Sequence, residues 1–324
     1  MLATPLSTLI RGLLFLSTLI PCLSNQSKRW AFCALLGCKV LFNYRGKQNI
    51  AVLRHSADRI PVTLILLLTL VDFAVYFAVD SLWLLAGYFL LMLIPKGCIC
   101  AWNHHHQHTK TFKATPWNRL LEIAYALHTG VTTNLWLLHH VFGHHHNYLD
   151  QNLDQSRWKR EDGTIMGLWE YTIIVAGTAY HRGYLVGKKH PKHYRTHLIY
   201  TVVVAALVLA LLAYRPAAAL LVFVLPMIAG LLITAWATYD HHAGLDEPED
   251  HFLASYNNVN PVFNLMTGNL GYHTAHHFKQ GTHWSQLPAL HEQIKHKIPA
   301  NMYKSSFWEM ANTPWINRLL GTSY

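Results

Sequence analysis

The sequence predicts an all-α protein: an integral membrane helical bundle with two transmembrane hairpins, about four spans, and a cytoplasmic histidine-rich helical cap. Three observations lead there. The 324 residues are 52% hydrophobic and only 13% charged, about half the charge of an ordinary soluble domain. The longest apolar runs come in two closely linked pairs. Three dense histidine clusters flank those pairs, and one of them, His139 to His146 in LHHVFGHHHNYLD, packs five imidazoles into eight positions.

Taken in order, residues 1–60 form an N-terminal membrane-associated or interfacial region. Within residues 1–24, Arg11 precedes an apolar stretch (Gly12 to Leu23) read as a short membrane segment in preference to a signal peptide. Ala31 to Phe42 is apolar but too short to span. Residues 61–300 form the membrane domain. Val62 to Val79 and Leu82 to Ile94 are long enough together for two helices of about 20 residues, and the short link at Asp80-Ser81 makes them an antiparallel hairpin. Leu198–Ala213 and Ala217–Trp236 repeat the arrangement around Tyr214-Arg215-Pro216, with Pro226 and Gly230 expected to bend the second helix. Asp72, inside the first span, reads as a polar contact within the bundle, with Thr69 and Tyr76 beside it at helical spacing.

Basic residues stand before the first hairpin (Arg45, Lys47, Arg54, Arg59), after it (Lys96, Lys110, Lys113), and before the second (Lys188, Lys189, Lys192, Arg195). The positive-inside rule puts these ends in the cytoplasm. An even number of spans separates the first histidine cluster from the third, so all emerge on one side. Pro116–Leu138 reads as a partly buried or interfacial helix delivering the second cluster, and Trp158–Tyr184 as a similar one. Residues 301–324 form an interfacial tail carrying Tyr303, Phe307, Trp308 and Trp315. The net charge of +10 is dispersed among aromatic residues, which suits an anionic membrane face and not a nucleic-acid groove. Cys22, Cys33, Cys38, Cys98 and Cys100 form no CxxC pair and are expected as reduced thiols.

Each cluster repeats one spacing. His104 and His108, His140 and His144, and His273 and His277 are i,i+4 pairs, with His145 and His276 beside them. On a helix such pairs share a face. Imidazole favours iron, copper, nickel or zinc, whereas magnesium and calcium prefer oxygen. Eight histidines exceed the needs of one metal and suit two. His242, with His241 a weaker competitor, follows the last span and supplies a ninth. His105, His106, His139 and His146 fall off the ligand register. Asp150, Asp154, Asp240, Asp246 and Asn269 are candidates to orient the ligand rings. His128, His181, His190, His193, His197, His291 and His296 read as structural or solvated.

The pattern HxxxH, HxxxHH, HxxHH, with membrane hairpins between, resembles the membrane fatty acid desaturase and alkane hydroxylase superfamily over roughly residues 60–300. HVFGHH (140–145) is similar to its second box. GYHTAHH (271–277), with His283-Trp284 and Leu287-Pro288 following, is similar to the third box of bacterial acyl desaturases. TYDHHAGL (238–245) resembles the NYxEHYG of the alkane hydroxylases and aligns His242 with a ligand.

The resemblance implies two iron ions, O2 as co-substrate, and attack on an unactivated C–H bond of a fatty acid or fatty-acyl chain presented as lipid, CoA or acyl-carrier-protein derivative. Without an HPGG haem motif or rubredoxin cysteines in the sequence, an external ferredoxin- or rubredoxin-type donor is expected. The enzyme is expected in a bacterial inner membrane, its active site facing the cytoplasm. After the second box the text HNYLDQNLDQSRW departs from the family's usual YTN and acidic run, which leaves head group and regiochemistry open. Terminal-alkene-forming decarboxylation and alkyl hydroxylation are alternatives within the superfamily. Outside it stand a membrane zinc hydrolase, which would leave most box histidines unused, and a divalent-metal transporter, disfavoured because the spans as drawn contain no histidine.

Overall fold

The computed structural model describes residues 52–245 and 250–304. The expectations for residues 1–24 and Ala31–Phe42, for Cys22, Cys33, Cys38 and Asp246, and for most of the C-terminal tail fall outside the described residues. Among the described residues four helices are long and apolar enough to cross a membrane. They are α1 (Arg59–Ala78), α2 (Leu82–His108), α5 (Pro191–Tyr214) and α6 (Pro216–His242). At most a third of each apolar window is buried inside the protein. Leu67, Leu70, Leu90, Leu91, Val202 and Leu209 point outward, as apolar side chains do on helices surrounded by hydrocarbon.

The spans run further than their apolar text. α2 continues through the first histidine cluster and α6 through His242. At 27 residues each, they measure about 40 Å against roughly 30 Å of hydrocarbon. The last turns therefore stand clear of the lipid core, and the histidines they carry lie beyond the spans drawn from the apolar text. The two hairpin tips meet at the opposite end. Arg215 donates to the carbonyls of Tyr76 and of Val79 (2.8 Å) and pairs with Asp80. With the tips tied together, α2 and α6 end on the same face.

Inside the bundle, Tyr76, Leu85, Leu127 and Phe223 form the main apolar contact between the hairpins. Asp72 lies among them with no exposed surface. Its partners are not the flanking Thr69 and Tyr76. It accepts from Tyr88 Oη (2.7 Å) and pairs with Lys96 Nζ (2.8 Å) and His128 Nδ1 (3.2 Å). Thr69 bonds His128 and the Ile65 carbonyl, while Tyr76 bonds the Leu211 carbonyl. Lys96 is thus an internal ion-pair member and not an exposed cytoplasmic charge. It also donates to the Val222 carbonyl (2.9 Å). That acceptor is free because Pro226, four residues on, has no N–H to offer it. The disturbance of α6 is a π-helical turn at Leu220–Val224, just before the proline.

The expected helix Pro116–Leu138 is two elements. α3 (Thr115–Thr129) stops at Gly130, whose φ of 71° closes the helix in the left-handed region. A Cβ at Gly130 would lie 2.4 Å from the Met227 carbonyl oxygen, and one at Gly230 would lie 2.7 Å from Thr129 Cα and its carbonyl oxygen. Glycine at both positions lets the end of α3 touch α6. Likewise α4 spans Leu168–Gly187, and residues 158–167, expected as helix, form a turn with a bridge between Lys159 and Ile165. Beyond α6 come α7 (Pro261–Thr267), α8 (His273–Phe278) and α9 (Leu287–Ile294). A short parallel pair, β1 (Asn257–Asn258) with β2 (Tyr303–Lys304), braces this cap.

Candidate metal centre

The first cluster sits on the last turns of α2, where His104 and His108 share a face. The second lies on a π-helical segment, Leu137–His145. Its i→i+5 bonding widens the turn, so residues i+4 and i+5 both return to the face of residue i. His144 and His145 therefore flank His140, and the Nε2 atoms of His140 and His145 stand 2.9 Å apart. The third cluster is carried by α8, which places His273, His276 and His277 at i, i+3 and i+4. Thr274, between them, fixes α8 to the cap: its N–H donates to Asn257 Oδ1 (3.0 Å) and its hydroxyl to the Ser255 carbonyl (3.1 Å).

The three clusters meet in two adjoining groups. His104, His108, His140, His145 and His276 form one, and His144, His242 and His277 the other, with ligand nitrogens in each group within 4.8 Å of one another. Nε2 of His273 lies 2.9 Å from Nε2 of His242, placing it at the rim of the second group. His241 stacks on His273 (ring centroids 3.9 Å apart) and donates from Nδ1 to the Tyr256 carbonyl at 3.2 Å, but it joins neither group. The groups touch where the rings of His145 and His277 stack at 4.1 Å.

The nitrogen arrangement is one that protons alone leave unsatisfied. His104, His140, His145 and His276 form a string of Nε2 contacts of 2.8, 2.9 and 3.1 Å. A neutral ring nitrogen holds either one proton or one lone pair, so well-directed bonds can serve only two of these three contacts. Nε2 of His108 and His144 and both ring nitrogens of His277 are buried with no hydrogen-bond partner. Each such group ordinarily costs about 1–3 kcal/mol. A shared cation on these lone pairs removes the conflict, so the residues fit a pair of metal ions.

Protonation does not compete with such an ion. Burial, reinforced by the neighbouring imidazoles, holds His140, His145, His273, His276 and His277 well below the ordinary histidine range. Neutral imidazole is the metal-binding form. Ring orientation is fixed from behind. His144 Nδ1–H donates to both oxygens of Asp154 (2.9 Å each) and His242 Nδ1–H to the Ala254 carbonyl (2.9 Å), leaving each Nε2 lone pair facing inward.

Of the other expected orienting residues, Asp150 receives the Asn152 N–H, Asp240 pairs with Lys304, and Asn269 donates to the Trp284 carbonyl. The Ala254 and Tyr256 carbonyls were not foreseeable, because any residue could supply them. His105 is bonded to the Thr267 carbonyl, and His106 to Thr111 and Glu122. His146 is exposed. His283 and Trp284 clasp Asp58 at 3.0 and 2.7 Å, tying the third-box region to the entrance of α1.

A cavity of about 120 Å³ opens beside the histidines. His104, His140, His242 and His273 line one part, with Ala101, Trp136, Val175 and Ile233 among the others and Gly97 on α2. Its wall is mostly apolar, as an acyl chain requires. His139, buried with neither ring nitrogen partnered, also faces this cavity.

The model of the fatty acid desaturase family matches residues 80–308. Neither a curated protein nor a solved structure matches the chain. The match begins at the first hairpin's tip and takes in every histidine of both groups. It covers more than two thirds of the sequence, and the chain belongs to the fatty acid desaturase family.

Proposed function

We propose that this membrane oxidoreductase is an oxygen-dependent di-iron fatty-acyl desaturase. Membership of the family gives it a desaturase-like activity, a fatty acid or acyl substrate and a lipid environment. The observation that carries the finer assignment is the convergence of buried, neutral imidazoles into two touching groups at the side of an apolar cavity. His104, His108, His140, His145 and His276 would hold one ion, and His144, His242, His273 and His277 the other.

The first group offers five imidazoles, one more than the four ligands of a tetrahedral zinc ion. Iron would supply the redox chemistry for cleaving an unactivated C–H bond, which zinc lacks. In the overall reaction the chain loses two hydrogens, O2 becomes two waters, and an external donor gives two electrons, with two protons drawn from solvent. The protein's part is to hold the methylenes beside His104 and His140 in an apolar-walled cavity, with Asp154 and the Ala254 carbonyl keeping the rings aligned.

The box face is the cytoplasmic one in this proposal. Lys113, Lys188, Lys189, Lys192 and Arg195 are exposed near the mouths of the hairpins and would receive an acidic ferredoxin- or rubredoxin-type donor. Metal analysis of the purified protein tests the assignment: two irons per chain are expected, and zinc alone would refute it. Mass spectrometry of products then identifies the reaction. A product two hydrogens lighter is expected. One oxygen heavier would indicate hydroxylation, and a shorter terminal olefin decarboxylation. Alanine at His140, His144 or His276 is expected to abolish turnover.

A further inference from the structure

Tyr148 stands just beyond the second box, in the turn that follows the π-helical segment, and is 5% exposed. Its ring centroid lies 4.4 Å from that of His277 and 6.0 and 6.2 Å from those of His144 and His242, so it borders all three histidines of the second group. Its hydroxyl is bonded to Nδ1 of His251. His251 is exposed to solvent, on the loop that also brings the Ala254 carbonyl to His242. Box histidine, phenol, imidazole and solvent therefore follow one another in direct contact.

This placement has a chemical consequence. A phenol gives up an electron readily when its proton can leave with it, which needs a base within hydrogen-bond reach. The imidazole of His251 is such a base, and its exposure lets it exchange protons with water. Trp158 also borders the second group, 6.4 Å from His242, but its indole N–H is buried without a partner. Tyr148 is not needed to align the rings it touches: His144 is held by Asp154 and His242 by the Ala254 carbonyl. Nor does it reach the chain, because it does not line the apolar cavity, which His242 borders. A centre able to take hydrogen from an unactivated C–H bond is also able to oxidise a phenol, whose O–H bond is weaker. With no chain in the cavity, that oxidising power falls on the groups around it, the ligand imidazoles included.

We infer that Tyr148 and His251 form an outlet for oxidising equivalents: Tyr148 gives one electron to the O2-oxidised metal pair while its Oη proton passes to Nδ1 of His251. The products are a neutral phenoxyl radical and an imidazolium. The external electron donor then gives one electron to the phenoxyl and His251 returns the proton, which restores both side chains. The inference rests on the di-iron assignment above and adds what protects the site when substrate is missing.

The test uses the full-length protein, iron-loaded and chemically reduced in detergent micelles, mixed with O2 without substrate and frozen at successive times for electron paramagnetic resonance. The wild type is expected to give a tyrosyl radical signal. Tyr148→Phe, which keeps the ring and removes the hydroxyl, is expected to lose it. His251→Ala, a change at an exposed position that leaves the buried ring in place, is expected to lose it as well. Mass mapping of the same samples should find added oxygen on the box-histidine peptides sooner in Tyr148→Phe than in the wild type. A merely structural bond would leave the radical per iron unchanged in His251→Ala. That result, a wild type without the signal, or a Tyr148→Phe protein that keeps it, overturns the inference. Iron content and product formation separate the two proposals. Iron with product but no Tyr148 radical refutes the outlet alone, whereas zinc without product refutes the di-iron assignment and the outlet with it.

Discussion

His144 donates its Nδ1–H to both carboxylate oxygens of Asp154, at 2.9 Å each, with both side chains shut off from solvent. The contact spans ten residues, from the π-helical segment to the loop beyond it. It sets the tautomer of one box histidine and directs its unpartnered Nε2 toward His242 and His277.

Replacing Asp154 by alanine frees the His144 ring. Loss of such an orienting carboxylate typically weakens metal binding or activity about 10–100-fold. The expected outcome is an Asp154→Ala protein with one iron retained and the other lost on dialysis, read by metal analysis and product formation. An unchanged iron content would remove Asp154 from the positioning role.

The Asp72–Lys96 pair gives a stability prediction. Both members are buried, with 0% and 3% of the side chain exposed. Removing one partner strands a charge inside the bundle, at a cost of about 3–5 kcal/mol. Asp72→Ala should therefore lower the thermal unfolding midpoint in detergent far more than the double change Asp72→Leu with Lys96→Met. If the two variants unfold alike, the pair is not coupled.

Acid should destabilise the metal-free protein early. Burial, with the Arg182 charge nearby, pulls His139 from 6.5 to about 3, and the box histidines outside the spans are depressed as well. Below pH 6.5 the unfolded chain binds protons that the folded chain refuses, so stability falls as pH drops from about 6.5 toward the folded-state values. Glu122 adds a second loss at lower pH. Burial alone would raise its pKa, but His106, Lys110 and Arg119 close on it and hold it below the usual carboxylate value, so its contribution disappears only below about pH 4.5. Unfolding midpoints measured from pH 8 to pH 5 check the first, and those from pH 4.5 down to pH 2.5 the second. A midpoint flat to pH 5 would contradict the histidine part.

Gly97 faces the apolar cavity, and a Cβ there would lie 3.5 Å from the Ile233 side chain. A Gly97→Leu side chain would fill that space. The expected result is a shift of preferred substrate toward shorter acyl chains with iron content unchanged, measured by competition between chain lengths. An unaltered preference would place the chain elsewhere.

Much of this protein is legible in one dimension. The four spans and their hairpin pairing follow from apolar runs and two short links, because lipid permits only elements that satisfy their own backbone. The box histidines follow from i,i+4 spacing, because a single helical face brings such residues together. Tertiary structure decided the rest. Whether His241 or His242 enters a group depends on the rotation of α6, and either fits the text. Asp72 finds Tyr88, Lys96 and His128 instead of its helical neighbours because partners sixteen or more residues away converge only once the hairpins pack. The π-helical segment that sets both His144 and His145 against His140, the Ala254 carbonyl behind His242, and the bond between Tyr148 and His251 are long-range or backbone arrangements, and local sequence carries no signal for any of them.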